Sequence, residues 1–159
     1  MSSLIFVSIQ GKKNGFISAG CGTVQSIGNK YIAGHEDEIF AYSFQHLLTR
    51  QQHANHHPVQ FIKPIDKCSP ILGACLSENE ELEVFLNFYR TGVQGGIEHN
   101  YKIRLSKAFI SSIKYDYPHS VNSNGMTPQE VISLVYQDIT WENIGCSTSS
   151  YSIWEERIS

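Results

Sequence analysis

A mainly β fold with one short helix is predicted by three observations. Several segments alternate apolar and polar residues with period two, and aromatic residues are plentiful, with 8 Tyr and 8 Phe. A single Ser-Pro dipeptide, Ser69-Pro70, opens a stretch with helical spacing. Period-two alternation marks half-buried strands, and aromatic side chains suit a pleated, half-buried surface. Six or more such strands against one short helix favour a sandwich or barrel over an α/β fold.

The elements follow in order along the chain. Leu4 to Gln10 (LIFVSIQ) is a strand ended by Gly11, Asn14 and Gly15, and Phe16 to Cys21 is a short second one closed by Gly20 and Gly22. From Glu38 to Phe44 the sequence EIFAYSF places Glu38, Phe40, Tyr42 and Phe44 on one face and Ile39, Ala41 and Ser43 on the other. Gln45 to Pro58 (QHLLTRQQHANHHP) is polar, rich in histidine and without alternation, so it reads as a long loop. Val59 to Ile65 resumes an extended pattern.

Ser69 then serves as N-cap and Pro70 as the first helical residue, where a missing amide hydrogen costs nothing. Ile71, Leu72, Cys75 and Leu76 form the apolar stripe of a helix ending near Asn79. Glu81 to Arg90 is a strand joined through TGVQGG to a long partner, Ile97 to Ser106, which Phe109, Ser111, Ile113, Tyr115 and Tyr117 continue. After the loop HSVNSNGMTP, Gln129 to Glu142 is one late strand, followed by a Ser-rich turn and an amphipathic tail. No repeat or linker interrupts residues 1–159, so a single domain is expected.

Bulk properties exclude several function classes. A chain of 159 residues buries roughly 68–70% of its unfolded surface and needs no staples. A formal net charge of −3, from 12 basic and 15 acidic residues, argues against nucleic acid as a partner. The N-terminus lacks the basic n-region and the long apolar run of a signal peptide or membrane span, so a soluble, cytoplasmically made chain without membrane insertion is expected. Cys21, Cys68, Cys75 and Cys146 show no CxxC spacing and read as small buried hydrophobes.

Two clusters invite a chemical reading. His35, Glu36, Asp37 and Glu38 are consecutive, yet on a strand only His35 with Asp37, or Glu36 with Glu38, share a face. They read as the solvated start of an aromatic strand, charged against wrong pairing. His46, His53, His56 and His57 lack the HExxH pattern and any carboxylate or cysteine among them. GxSxG is absent, and GCG and GVQGG lack the lysine and helix of a phosphate loop. No catalytic, cofactor or metal residue is therefore assigned, and no cofactor is expected.

Several pieces in order resemble one family: ISAGCGTVQSIGNKYIAGHEDEIFAYSF, HHPVQFIKPIDKCSPILGACLSENEELEVFLNFYR, YKIRL, ISLVYQDITWEN and the SIWEER ending. The chain resembles the Hcp family, the hemolysin-coregulated tube proteins of bacterial type VI secretion, and in particular its enterobacterial branch. Its most specific motifs are I-D-K-x-S-P, here Ile65 to Pro70, and I-T-W, Ile139 to Trp141.

The resemblance implies a squat β-barrel of two sheets with one short α-helix, and a structural protein rather than an enzyme. It implies a homohexameric ring that stacks on further rings, contacts with sheath and spike proteins, and small effector proteins carried in the lumen. It also implies export from the cytoplasm to the medium or a target cell by the secretion apparatus. The long loop matches the family's extended loop in position, which assigns Gln45, His46, Arg50, Gln51, Gln52, His53, Asn55 and His56 to contacts between subunits or rings.

The histidine content of that loop and the Cys146-STSSYS approach to the last Trp-x-x-Arg depart from the family pattern, so the loop's assignment rests on its position and not on matching residues. Some relatives continue into a toxin domain where this chain stops two residues past Arg157, and no such activity is expected here. The competing reading is a β-sandwich binding module or small metal-dependent enzyme that uses the histidine-rich loop.

Overall fold

The computed structural model describes residues 3–122, 125 and 127–154. β1 (Leu4–Gly11) is the expected first strand, with Val7 and Ile9 fully buried. The second expected strand forms only as β2 (Gly15–Phe16). Beyond it Ser18 turns inward, where its Oγ accepts the Ile9 amide at 3.1 Å, and Gly20 bends the chain at φ 74°. α1 (Val24–Ile27) adds one helical turn, ended by Gly28 at φ 63°, to the single helix expected.

The strand expected over Glu38 to Phe44 breaks in two. β3 (Ile39–Ala41) pairs with β1, whereas β4 (Ser43–Gln45) pairs with β7 (Val59–Pro64), and Tyr42 carries the chain between them. Ile39 and Ala41 fill the core, while Phe40, Tyr42 and Phe44 are only half-buried. The segment expected to be a long loop contains a hairpin, β5 (Leu48–Arg50) with β6 (Ala54–His56). Both strands are short and largely exposed, so neither shows the alternation that one-sided burial imposes.

α2 (Ser69–Ser77) occupies the predicted place, but Cys68 rather than Ser69 is its N-cap. The Ser69 hydroxyl instead accepts the Asp66 amide at 2.9 Å. β8 (Leu82–Thr91) and β9 (Ile97–Asp116) make the predicted hairpin, with Gly95 at φ 89° in its turn. Midway along β9, Lys107 adopts φ 48° and the register slips, so burial passes from Ile103 and Leu105 to Ala108 and Ile110. Phe109, expected to continue the face of Leu105, is half-buried for that reason.

The late strand also divides. β10 (Gln129–Val135) pairs with β7 and with the C-terminal half of β9. β11 (Asp138–Asn143) pairs with the N-terminal half of β9 and with β12 (Thr148–Ile153), a strand where a turn and tail were expected.

Among the described residues ten strands therefore form one sheet that folds over along β9, and β5 with β6 forms a second, two-stranded one. Val7, Ile39, Phe61, Leu86, Leu105, Ile132 and Ile139 converge from both halves on one core, and α2 packs against β9. The result is the predicted mainly β, squat barrel. Cys21, Cys68 and Cys75 are buried as expected; Cys146 is exposed, because the turn before β12 faces solvent. The Glu155 to Arg157 part of the expected ending lies outside the described residues.

Candidate functional site

His35 to Glu38 form a turn ahead of β3, so strand alternation does not govern them. His35 Nδ1 lies 2.7 Å from Glu38 Oε1, and the imidazole stacks on Phe6 with centroids 3.8 Å apart. The other Glu38 oxygen accepts Asn87 Nδ2 at 3.1 Å. Asp37 accepts the Gly20 amide, and Glu36 accepts the Tyr31 hydroxyl and the Gly34 amide. Its own amide, the Tyr31 hydroxyl and the Gly34 amide hold the Glu36 carboxyl below the usual range. All four side chains are engaged in contacts that fasten this turn to its neighbours.

Two histidines of the Gln45 to Pro58 segment meet at one buried hydroxyl of the barrel. Tyr136, at the crossing between β10 and β11, is fully buried, and its OH lies 2.9 Å from His46 Nε2 and 2.8 Å from His56 Nδ1. A phenol can donate to one imidazole and accept from the other, so the two rings take complementary tautomers. The far nitrogen of His56 meets Ser152 Oγ of β12 at 3.0 Å, and Trp154 stacks on the same ring. Burial lowers the pKa of both His46 and His56 and raises that of Tyr136.

The residues assigned to subunit contacts thus separate. Gln45, Arg50, Gln51, Gln52 and His53 are exposed, His46 and Asn55 are half-buried, and His56 is buried. Arg50, His53 and Ala54 line an open groove together with Tyr151, Ser152 and Ile153 of β12. Among the described residues β12 pairs only with β11, and Tyr151 on it is 71% exposed. A polar hairpin tip and an open, Ser-rich strand edge that carries exposed Tyr151 and Ile153 therefore sit side by side. The histidines do not converge on a metal: the one group of three metal-ligating side chains among the described residues is Cys21, Asp66 and Cys68.

A buried ionic cluster was not anticipated from the sequence. Lys63 Nζ reaches Glu130 Oε1, Asp66 Oδ1 at 3.0 Å, the Pro64 carbonyl at 3.0 Å and Ser69 Oγ at 3.2 Å. All three charged side chains have zero exposure. Burial pulls the Lys63 pKa down, but Asp66 and Glu130 outweigh it and leave the group raised. The signal was present: alternation from Val59 and Phe61 puts Lys63 on the core side, and alternation from Ile132 and Leu134 does the same for Glu130. The Asp66 and Ser69 of the I-D-K-x-S-P motif are therefore the lining of this cluster.

Residues 6–143 match a family model described as "Type VI secretion system effector, Hcp". The chain belongs to the Hcp family. It is 35% identical to the "Major exported protein" of Pseudomonas aeruginosa over all of this chain and 99% of that one. It is also 34% identical to the "Uncharacterized protein YhhZ" of Escherichia coli across 93% of this chain, which spans only 37% of that relative.

Among solved structures, one described as "Crystal structure of Hcp protein" superposes with a TM-score of 0.90 at 33% identity, covering 96% of this chain and 98% of that one. "Secreted protein Hcp3 from Pseudomonas aeruginosa" gives 0.87 at 36% identity, over 96% and 99%. Hcp proteins are secreted structural components of type VI secretion, not enzymes. No helix among the described residues is long and apolar enough to cross a membrane.

Proposed function

We propose that the chain is a single-domain subunit of a type VI secretion inner tube, assembling as homohexameric rings that stack coaxially. Sheath contraction drives the tube outward behind a spike, and small effector proteins ride in its lumen. The observation that carries this reading is 35% identity, from end to end of both chains, to a protein known as the major exported protein. The open edge of β12 supports it, because exposed strand edges are normally paired or covered. In a ring closed by rotation each subunit presents one surface to a different surface of its neighbour, which covers such an edge.

The hairpin tip, with Gln45, His46, Arg50, Gln51, Gln52, His53 and Asn55, contributes to contacts between subunits or rings. His56 acts from behind, as its anchor. Size-exclusion chromatography with light scattering tests the reading: a mass near six times 17.9 kDa is expected. A strict monomer at every concentration would overturn it.

A further inference from the structure

We propose that Cys21 and Cys68 are a redox pair that closes to an intramolecular disulfide when the chain meets a low-molecular-weight disulfide. Both residues have zero exposure, and their sulfurs lie within 4.8 Å of each other. The segments that carry them are already strapped together. Lys67 N donates to Ser26 Oγ at 2.9 Å, joining the chain beside Cys68 to the chain beyond Cys21. Immediately on either side of Cys21, the Gly20 amide donates to Asp37 Oδ1 at 3.0 Å and the Gly22 amide to Glu36 O at 2.9 Å. A Cβ at Gly22 would lie 2.2 Å from the His35 carbonyl oxygen, so that backbone is pressed into a fixed place.

Closing the sulfurs to about 2.05 Å then asks for side-chain rotation and a small backbone shift rather than refolding. The same three donors do not make a structural zinc site. Zinc takes four ligands there, and the Asp66 carboxylate already holds the Lys63 ammonium at 3.0 Å.

In the reduced state the Cys68 thiol donates to Asp66 Oδ1 at 3.0 Å. Contact with Cys21, burial and the Asp66 charge together push its pKa far up, so exchange waits for a transient opening. The step balances as thiol–disulfide exchange. One cysteine, as thiolate, attacks the small disulfide and expels one small thiol; the second cysteine then attacks the mixed disulfide and expels the other. Two protein protons end on the two small thiols, and the small disulfide takes both electrons. This chemistry does not depend on tube assembly, and only its timing, after export from a reducing cytosol, rests on the secretion reading.

The test uses the full chain carrying Cys146→Ser, which removes the exposed thiol, first reduced and then incubated with oxidised glutathione. A mass loss of about 2 Da, a Cys21–Cys68 peptide on non-reducing digestion, and a Tm raised by roughly 5–10 °C are expected. Cys21→Ser and Cys68→Ser should abolish all three. Should either variant fail to fold, the peptide map of the parent protein decides alone. An unchanged mass, a link through Cys75, or one tightly bound zinc per reduced chain would overturn the proposal. The oligomer mass of the same sample separates this outcome from failure of the ring reading.

Discussion

His56 Nδ1 stands 2.8 Å from the hydroxyl of Tyr136, eighty residues later in the chain, and His46 shares the same oxygen at 2.9 Å. Through that oxygen a short, mostly exposed hairpin becomes part of the barrel wall.

Tyr136→Phe should therefore loosen the hairpin without opening the barrel. It strips two imidazoles of a partner, a loss of roughly 1–3 kcal/mol. Urea unfolding should show that decrease, and limited proteolysis should cut faster between Gln51 and Ala54. Unchanged cleavage would mean that packing against Trp154 suffices.

Acid should weaken the same anchor. Burial lowers the folded pKa of His46 and His56, so the unfolded chain binds protons more readily. Their contribution is complete above the unfolded value of about 6.5 and is lost as pH falls through the lowered folded value. His57 adds to the His56 shift by charge repulsion, whereas on His46 its backbone hydrogen bond opposes the effect of burial. Tm measured from pH 7.5 to 5 should fall in the parent and fall less in a His46→Gln, His56→Gln double variant; parallel curves would refute this.

The buried ionic cluster should matter far more than surface pairs. Lys63→Met leaves Asp66 and Glu130 buried without a cation, which costs about 3–5 kcal/mol. Lys12→Ala breaks a largely exposed pair with Glu81 at 3.7 Å, worth about 0–1 kcal/mol. Denaturant titration of the two variants should separate them clearly. Similar midpoints would contradict the ranking.

Glu80 should prove structural as well. Its carboxylate is buried and accepts the amides of Lys13 at 2.8 Å and Asn14 at 2.7 Å. Burial pushes its pKa up, but those amides and the Asn14 side chain outweigh this and hold it below the usual value. Glu80→Ala should cost roughly 2–3 kcal/mol and speed amide exchange in the β1–β2 turn. Exchange unchanged at Lys13 and Asn14 would refute the role.

Deleting Gln51 to Asn55 separates fold from assembly. The hairpin tip lies outside the core, so the barrel should keep its cooperative unfolding while the ring or tube population falls. Normal rings and tubes from the deleted chain would sink the contact assignment.

The mainly β class, the place of α2, the β8–β9 hairpin and the family are all legible in the chain, because each rests on local periodicity or on ordered motifs such as Ile65 to Pro70 and Ile139 to Trp141. Tertiary structure decided where single alternating runs change partner. EIFAYSF keeps period two straight through its crossing at Tyr42, so nothing local marks that break, whereas in Gln129 to Glu142 the inward positions pass from Ile132, Leu134 and Tyr136 to Ile139 across the polar pair Gln137-Asp138, a local mark of the second crossing. It also decided the parity slip at Lys107, which follows from pairing with β8 rather than from any residue type. Lys63 and Glu130 were legible as inward positions, yet their being a pair depends on the register of β7 against β10. The same holds for Cys21 and Cys68, which only the packing of a loop on the start of a helix brings within reach of a bond.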